Sequence, residues 1–235
     1  MTKFTLGGIS FNQTRSAPTS RGTSTEDEFV IVKSDDAMAF YQGLKSAKPK
    51  NIMEIGMYEG GSLVWLDKLF KPKRIVGLDM RKDPILALEN YRQSNPQVVT
   101  YYQRSQDKPG TLMAARQNFP DGIDLVVDDA SHHYDKSRAT FLMLFPLVRT
   151  GGQYVIENWG WSHRPGAQKP DAVWSHLPAL TNLIFELTLL AATTGVVSEV
   201  RVMRDLVSVK KGKGVFKPEM LDFTDSLRGR PLPQI

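Results

Sequence analysis

The sequence predicts an α/β fold: a mostly parallel seven-stranded sheet with helices on both faces and a C-terminal antiparallel hairpin. Three observations carry this. Between Asn51 and Ile156, short apolar runs alternate with amphipathic stretches of helical length. Ile123–Val127 is apolar without interruption, as a strand buried on both faces requires. Val197–Met203 and Leu206–Lys210 then alternate apolar and polar residues on either side of a tight turn.

Taken in order, residues 1–24 are rich in Ser, Thr, Gly and Arg and are expected to form a tail, or an arm laid on a neighbour. Residues 25–48 place Phe29, Val32, Ala39, Phe40 and Leu44 at roughly helical spacing, while Val30-Ile31-Val32 could also be a short strand. Strands are expected at Asn51–Ile55, Arg74–Leu78, Val98–Tyr102, Ile123–Val127 and Gln153–Ile156. Helices are expected at Ser62–Phe70, Pro84–Gln93, Pro109–Asn118 and Tyr134–Val148, the last ending before Gly151-Gly152. Pro109 stands where a first helical turn tolerates it. Residues 159–175 form a turn-rich loop carrying Trp159, Trp161 and Trp174, and Leu177–Thr193 reads as an apolar helix. The three rings suit either the core or a wall for a flat substrate face. The organisation is a tail (1–24), one domain (25–211) and a C-terminal tail (212–235), with no internal repeat.

Composition narrows the function. In 235 residues, 41% are hydrophobic and 23% charged, enough to bury a core. The absence of cysteine excludes disulfides, zinc–thiolate sites, iron–sulfur clusters and cysteine nucleophiles. No apolar run approaches the ~20 residues of a membrane span, and the N-terminus has no signal-peptide core. The cytoplasm is the expected compartment. The net charge is +5. Its short clusters, such as Lys45/Lys48/Lys50 and Lys210/Lys211/Lys213, are expected to be solvated rims, with polyanion binding as the alternative.

Two constellations carry chemistry. The first strand runs into Glu54-Ile55-Gly56-Met57-Tyr58-Glu59-Gly60-Gly61-Ser62, and Asp79 ends the second strand, 23 residues beyond Gly56. Glycines there let a ligand approach the backbone, and an acid after the second strand can accept from ribose hydroxyls. The spacing departs from the dinucleotide fingerprint, and Glu54 would repel a diphosphate while suiting a nucleoside with a cationic group. Glu54, Gly56, Tyr58, Gly60, Ser62 and Asp79 are therefore the expected cofactor-binding residues, and a dinucleotide dehydrogenase is disfavoured.

The second constellation lies at the ends of strands four and five. Asp128-Asp129-Ala130-Ser131-His132-His133 follows the fourth, and Glu157-Asn158-Trp159 the fifth. In a parallel sheet these ends are neighbours, so Asp129, Glu157 and Asn158 can converge as oxygen ligands for a hard cation such as magnesium. His132, three residues beyond Asp129, is the expected general base. The bland readings are that Asp129 caps a helix and that Glu157 pairs with Arg138 or Arg164.

The first motif matches the E-x-G-x-x-x-G signature of class I S-adenosylmethionine (SAM)-dependent methyltransferases, which have a Rossmann-like fold. The run from Ile123-Asp124-Leu125-Val126-Val127-Asp128-Asp129-Ala130-Ser131-His132 through Leu144-Phe145-Pro146 to Gly151-Gly152-Gln153-Tyr154-Val155-Ile156-Glu157 resembles the macrocin and mycinamicin sugar O-methyltransferases. The cephalosporin hydroxylase-type proteins are more distant. The resemblance covers residues 51–158 and implies SAM as cofactor, magnesium on Asp129, Glu157 and Asn158, and His132 as base. It also sets Ser105, Gln106 and Asp107 beside the adenine and counts Asp128 among the cofactor residues. Ala130 replaces a glycine of that motif and Asn158 an aspartate, which removes one charge from the metal site. An Asp–Asn pair in catechol O-methyltransferases is a partial precedent. The acceptor implied is a hydroxyl of a sugar or glycosylated metabolite. A phenol or catechol acceptor, a SAM-binding relative that does not methylate, and a basic nucleic-acid-binding module are the competing readings. A homo-oligomer is expected, with the N-terminal arm and helix 177–193 as contacts.

Overall fold

The computed structural model describes residues 2–15, 22–223, 227 and 235. Its main sheet has seven strands: β4 (Asn51–Ile55), β5 (Arg74–Leu78), β6 (Val98–Tyr101), β7 (Ile123–Asp128), β8 (Val148–Glu157), β9 (Val197–Val202) and β10 (Leu206–Lys211). Their order is β6-β5-β4-β7-β8-β10-β9. The first five run parallel, and β10 pairs antiparallel with both β8 and β9. The expected sheet and hairpin are both present.

Helices α2 (Gly61–Phe70), α3 (Leu86–Gln93), α4 (Pro109–Asn118), α5 (Tyr134–Leu144) and α6 (Thr181–Thr193) connect these strands, preceded by α1 (Asp35–Gly43). Alternating strand residues feed two cores. Met53, Ile55, Val126 and Ile156 pack with Phe141 and Leu187 on one face. Ile52, Leu125, Val127 and Val155 pack with Trp65 and Leu66 on the other. Chain order reverses about β4, whose neighbours are β5 and β7. Such a switch point opens a crevice at the carboxyl ends of the strands.

The N-terminus differs from expectation. Residues read as a tail or arm contribute β1 (Thr2–Leu6) and β2 (Ile9–Gln13), which join β3 (Glu28–Ile31) in a second sheet. Phe11, Phe29 and Ile31 enter the core around Trp65. The strand reading of Val30-Ile31 thus holds, and the helix begins later, where Ser34 accepts from the Ala37 amide as its N-cap. The docking depends on Gly61. A β-carbon there would overlap the Val30 carbonyl oxygen.

Other boundaries shift for local reasons. The helix expected over 134–148 stops at Leu144, one residue before a 3-10 turn containing Pro146. The β8 strand therefore starts at Val148, and Gly151-Gly152 lies within it. The apolar helix begins at Thr181 and buries Leu183, Ile184, Leu187 and Leu190 within its own chain. Lys211, read as part of a solvated rim, is buried, with Nζ donating to the Phe145 carbonyl at 3.1 Å and lying over that ring. The tail from 212 is loop-like only in part. Phe216, Leu221 and Phe223 pack into the core, while its prolines 231 and 233, like the Trp174 side chain, lie outside what is described. No helix among the described residues is long and apolar enough to cross a membrane.

Candidate functional site

A cavity of about 750 Å3 opens at the switch point, within the range of small-molecule sites. Gly56, Met57, Tyr58 and Ser62 line it from the loop after β4, Asp79 from the end of β5, and Ser105 and Gln106 from the loop after β6. Asp129, Ala130, Ser131 and His132 line it after β7, and Glu157, Asn158, Gly160 and Trp161 after β8. Residues 101 apart in sequence, Gly56 and Glu157, thus meet at one opening.

The glycine loop is held by backbone geometry. Gly56 has φ +88°, and a β-carbon on it would overlap the Asp129 carbonyl. Its conformation lets the ends of β4 and β7 touch, where the Asp129 amide donates to the Ile55 carbonyl at 2.9 Å. Asp79 Oδ2 accepts from the Met57 and Tyr58 amides at 2.8 and 3.2 Å, and Oδ1 accepts from the Arg81 amide. The carboxylate thereby shapes the loop while facing the cavity. Glu54 lies fully buried behind it. Lys33 Nζ at 3.9 Å and the Ser62 hydroxyl favour its charge, yet neither makes a full hydrogen bond to it. Burial prevails and pushes the carboxyl up to about 8.

The carboxylate centre has a different logic. Lys33, with no exposed side-chain surface, places Nζ 2.5 Å from Glu157 Oε1 and 3.2 Å from Asp129 Oδ2. The Tyr41 hydroxyl donates to the same Glu157 oxygen at 2.6 Å, and Asn158 Nδ2 donates to Asp129 Oδ1 at 3.1 Å. Burial opposes the Lys33 charge, but Glu157, Asp129 and Glu54 outweigh it and hold the ammonium above its ordinary value. Burial likewise opposes the Asp129 charge, and there the Lys33 ammonium prevails and holds the carboxyl below its ordinary value. Glu157 is pushed up to about 7, by burial first and then by Asp129. The pairing of Glu157 with Arg138 or Arg164 does not occur. Arg138 binds Glu186 at 2.9 Å, and Arg164 stacks over Trp161.

His132 stands at the mouth of this centre with φ +57°. Its Nε2 is 3.9 Å from Asp129 Oδ1, and its ring lies parallel to the Trp161 indole with centroids 6.3 Å apart. Burial lowers its pKa against the pull of Asp129, so the imidazole is neutral at neutral pH and can accept a proton. The Trp161 indole N–H is buried without a partner among the described residues.

The structure does not bring every expected residue to the wall. Asp128 points beneath the sheet end, where Tyr154 and Gln106 donate to it at 3.1 and 3.2 Å. Gln106 in turn donates to Thr140 and accepts from the Ser131 amide, tying the loops together below the cavity. Asp107 turns to Ser105 and Lys108, and Gly60 packs on Leu88. No cluster of three or more His, Cys, Asp or Glu side chains has metal-holding geometry among the described residues. Asp129 and Glu157 each bring a carboxylate oxygen, of the kind a hard cation prefers, to one point where the Lys33 ammonium sits, and Asn158 approaches Asp129 through its amide nitrogen.

Residues 53–159 match a family model described as a methyltransferase domain. The chain is 35% identical over 124 residues to demethylmacrocin O-methyltransferase of Streptomyces fradiae, covering 49% of this chain and 29% of that protein. It is 31% identical over 122 residues to mycinamicin VI 2''-O-methyltransferase of Micromonospora griseorubida, covering 49% and 28%. It thus spans less than a third of the length of these curated relatives. Among solved structures, the MycE methyltransferase of the mycinamycin biosynthetic pathway, in complex with Mg and SAH, superposes with TM-score 0.58 at 25% identity, covering 75% of this chain and 48% of that one. An O-methyltransferase from Bacillus cereus in complex with SAH shares the fold at TM-score 0.51 and 19% identity, covering 77% and 83%.

The cavity and the carboxylate centre also draw on residues that the sequence reading did not single out. Lys33, Tyr41, Val30, Val32 and Arg15 come from the segment before β4. One signal was available for Lys33: it closes the apolar run Phe29-Val30-Ile31-Val32, immediately before the Ser34 cap.

Proposed function

We propose that this chain is a SAM-dependent O-methyltransferase acting on a hydroxyl of a sugar or glycosylated metabolite. The observation that carries the proposal is His132: a neutral imidazole beside Asp129, on a cavity that also contains the glycine loop and Asp79. The cofactor's ribose would meet Asp79, its backbone-facing edge the loop from Gly56 to Tyr58, and its adenine Ser105 and Gln106. Its cationic end suits the under-compensated Glu54. The sugar acceptor draws support from the relatives' names, which include an 8-demethyl-8-(2-methoxy-alpha-L-rhamnosyl)-tetracenomycin-C 3'-O-methyltransferase of Streptomyces olivaceus.

In the reaction, the acceptor oxygen attacks the sulfonium methyl in line. The carbon–sulfur bond breaks as the carbon–oxygen bond forms, S-adenosylhomocysteine leaves, and the hydroxyl proton passes to His132. Trp161 orients the ring of His132 by lying parallel to it. Magnesium, present in the MycE complexes, would be held by Asp129, Glu157 and Asn158 and would supply a Lewis acid that acidifies a nearby hydroxyl. A cytoplasmic enzyme and a homo-oligomer belong to the same reading, the latter supported by Phe185, exposed on α6.

The test is His132→Ala. Its turnover should fall about 10²–10⁴-fold, while its affinity for S-adenosylhomocysteine, measured by calorimetry, stays at the wild-type value. Undiminished turnover would remove His132 as the base.

A further inference from the structure

The carboxylate centre contains its own cation. Glu54, Asp129 and Glu157 stand 3.9, 3.2 and 2.5 Å from Lys33 Nζ. A divalent ion bound by Asp129 and Glu157 needs oxygens at ~2.0–2.6 Å, and Lys33 already faces Asp129 Oδ2 and Glu157 Oε1. Two cations cannot share that space without strong repulsion at these distances in a poorly solvated interior.

We infer that Lys33 and a divalent cation compete for the place between Asp129 and Glu157, so that a metal enters only as the ammonium withdraws. The backbone of Lys33 is anchored on both sides. Its carbonyl accepts from Gln13 Nε2 at 2.9 Å, the Thr14 amide donates to the Ile31 carbonyl at 2.9 Å, and Ser34 caps α1. The close contact of Gly61 with Val30 pins β3 to the start of α2. What can move is the four-carbon side chain, whose ammonium is a compact point charge on a flexible stem. Asp129 and Glu157 both face this one ammonium, which is the charge an entering metal would have to replace. Asn158 is neutral and donates to Asp129, which leaves Lys33 as the cation closest to both acids. The N-terminal sheet, by carrying Lys33, thereby sets the metal affinity of a site built from β7 and β8.

The inference rests on the metal site proposed above. Its test is Mn2+ binding followed by electron paramagnetic resonance on protein saturated with S-adenosylhomocysteine. Wild type is compared with Lys33→Met, Lys33→Gln and Asp129→Ala. Removing the competing charge should tighten Mn2+ binding about tenfold or more, and Asp129→Ala should abolish it. Equal or weaker binding in both Lys33 variants overturns the competition. Binding to none of the proteins overturns it together with the metal site, whereas His132-dependent methyl transfer would leave the enzyme reading standing. Calorimetry with S-adenosylhomocysteine checks that each variant folds. Should neither variant fold, nitrogen-15 lysine labelling of the wild type decides. The Lys33 ammonium resonance should shift in step with magnesium addition, and a constant resonance while metal binds overturns the inference.

Discussion

The two halves of the cavity are built on different plans. The half around the glycine loop comes from consecutive strand–loop–helix units, and its features are backbone features: the positive φ of Gly56 and the amides held by Asp79. The half around Asp129 and Glu157 is assembled from side chains far apart, with Lys33 reaching Glu157 across 124 residues and Tyr41 across 116. A site made by backbone can be specified within a short motif. A site made by charge balance needs every element that delivers a charge, and one of those here lies in a separate sheet.

Adjacent residues show the same contrast. Burial pushes Asp128 up to about 7 even though Tyr154, Ser137 and Gln106 donate to it. Asp129, one residue on, is held below its ordinary value by Lys33 although burial opposes it. The alternation of a β-strand end turns one carboxyl into the structural network and the other into the cavity. The largest expected effect follows from this difference. Asp129→Ala should cost about 10²-fold or more in kcat, as it removes the group beside His132 and frees Lys33. Asp128→Asn should keep kcat within about threefold, since its amide can still accept from Tyr154. Steady-state kinetics on both variants checks this, and equal losses would erase the distinction between the two acids.

A smaller effect should follow from loosening the sheet that delivers Lys33. Gly61→Ala places a β-carbon against the Val30 carbonyl, a backbone atom that cannot rotate aside. Overpacking of this kind costs about 1–3 kcal/mol, read as a lower melting temperature. Gly151→Ala is the control: its β-carbon would meet no neighbouring atom, so only the strain of its positive φ would register. A larger loss in the control would mean that the β3–α2 contact is not what sets the stability.

The sequence made the main sheet legible because strands buried on two faces must be apolar and the helices between them amphipathic; β4, β5, β7 and α4 lie where these patterns put them. Gly56, Asp79, Asp129 and His132 were legible because their positions follow strand ends. The N-terminal strands were not. Residues 2–13 alternate weakly and are short, and their apolar side chains gain a partner only when β3 docks on α2. Lys33 was missed for the same reason: the acids near it in sequence are not the ones that hold it, and all three carboxylates around it arrive from elsewhere. Asp128 misled in the opposite direction, because an acid pair at a strand end looks alike whichever member faces the ligand.

The smallest expected effect concerns Glu54, which belongs to the glycine-loop half in sequence but to the carboxylate centre by its charge. Its folded-state value of about 8 lies above the ordinary carboxyl range. The folded protein therefore holds this proton more tightly than the unfolded chain. The resulting stabilisation is fully present below about pH 4.5 and is lost as pH rises through about 8. In ligand-free protein, Glu54→Gln removes that loss. At pH 8 its melting temperature should exceed the wild type's by roughly 2–4 °C, equivalent to about 1 kcal/mol in a domain of this size, and the gap should narrow toward pH 5. The same substitution removes the negative charge proposed to face the cofactor's cationic end, so SAM should bind about tenfold more weakly, ~1.4 kcal/mol. Stability gained with affinity lost assigns Glu54 to cofactor binding at the expense of the empty fold. Affinity unchanged would leave it as a counter-charge to Lys33 and move it wholly into the second half of the cavity.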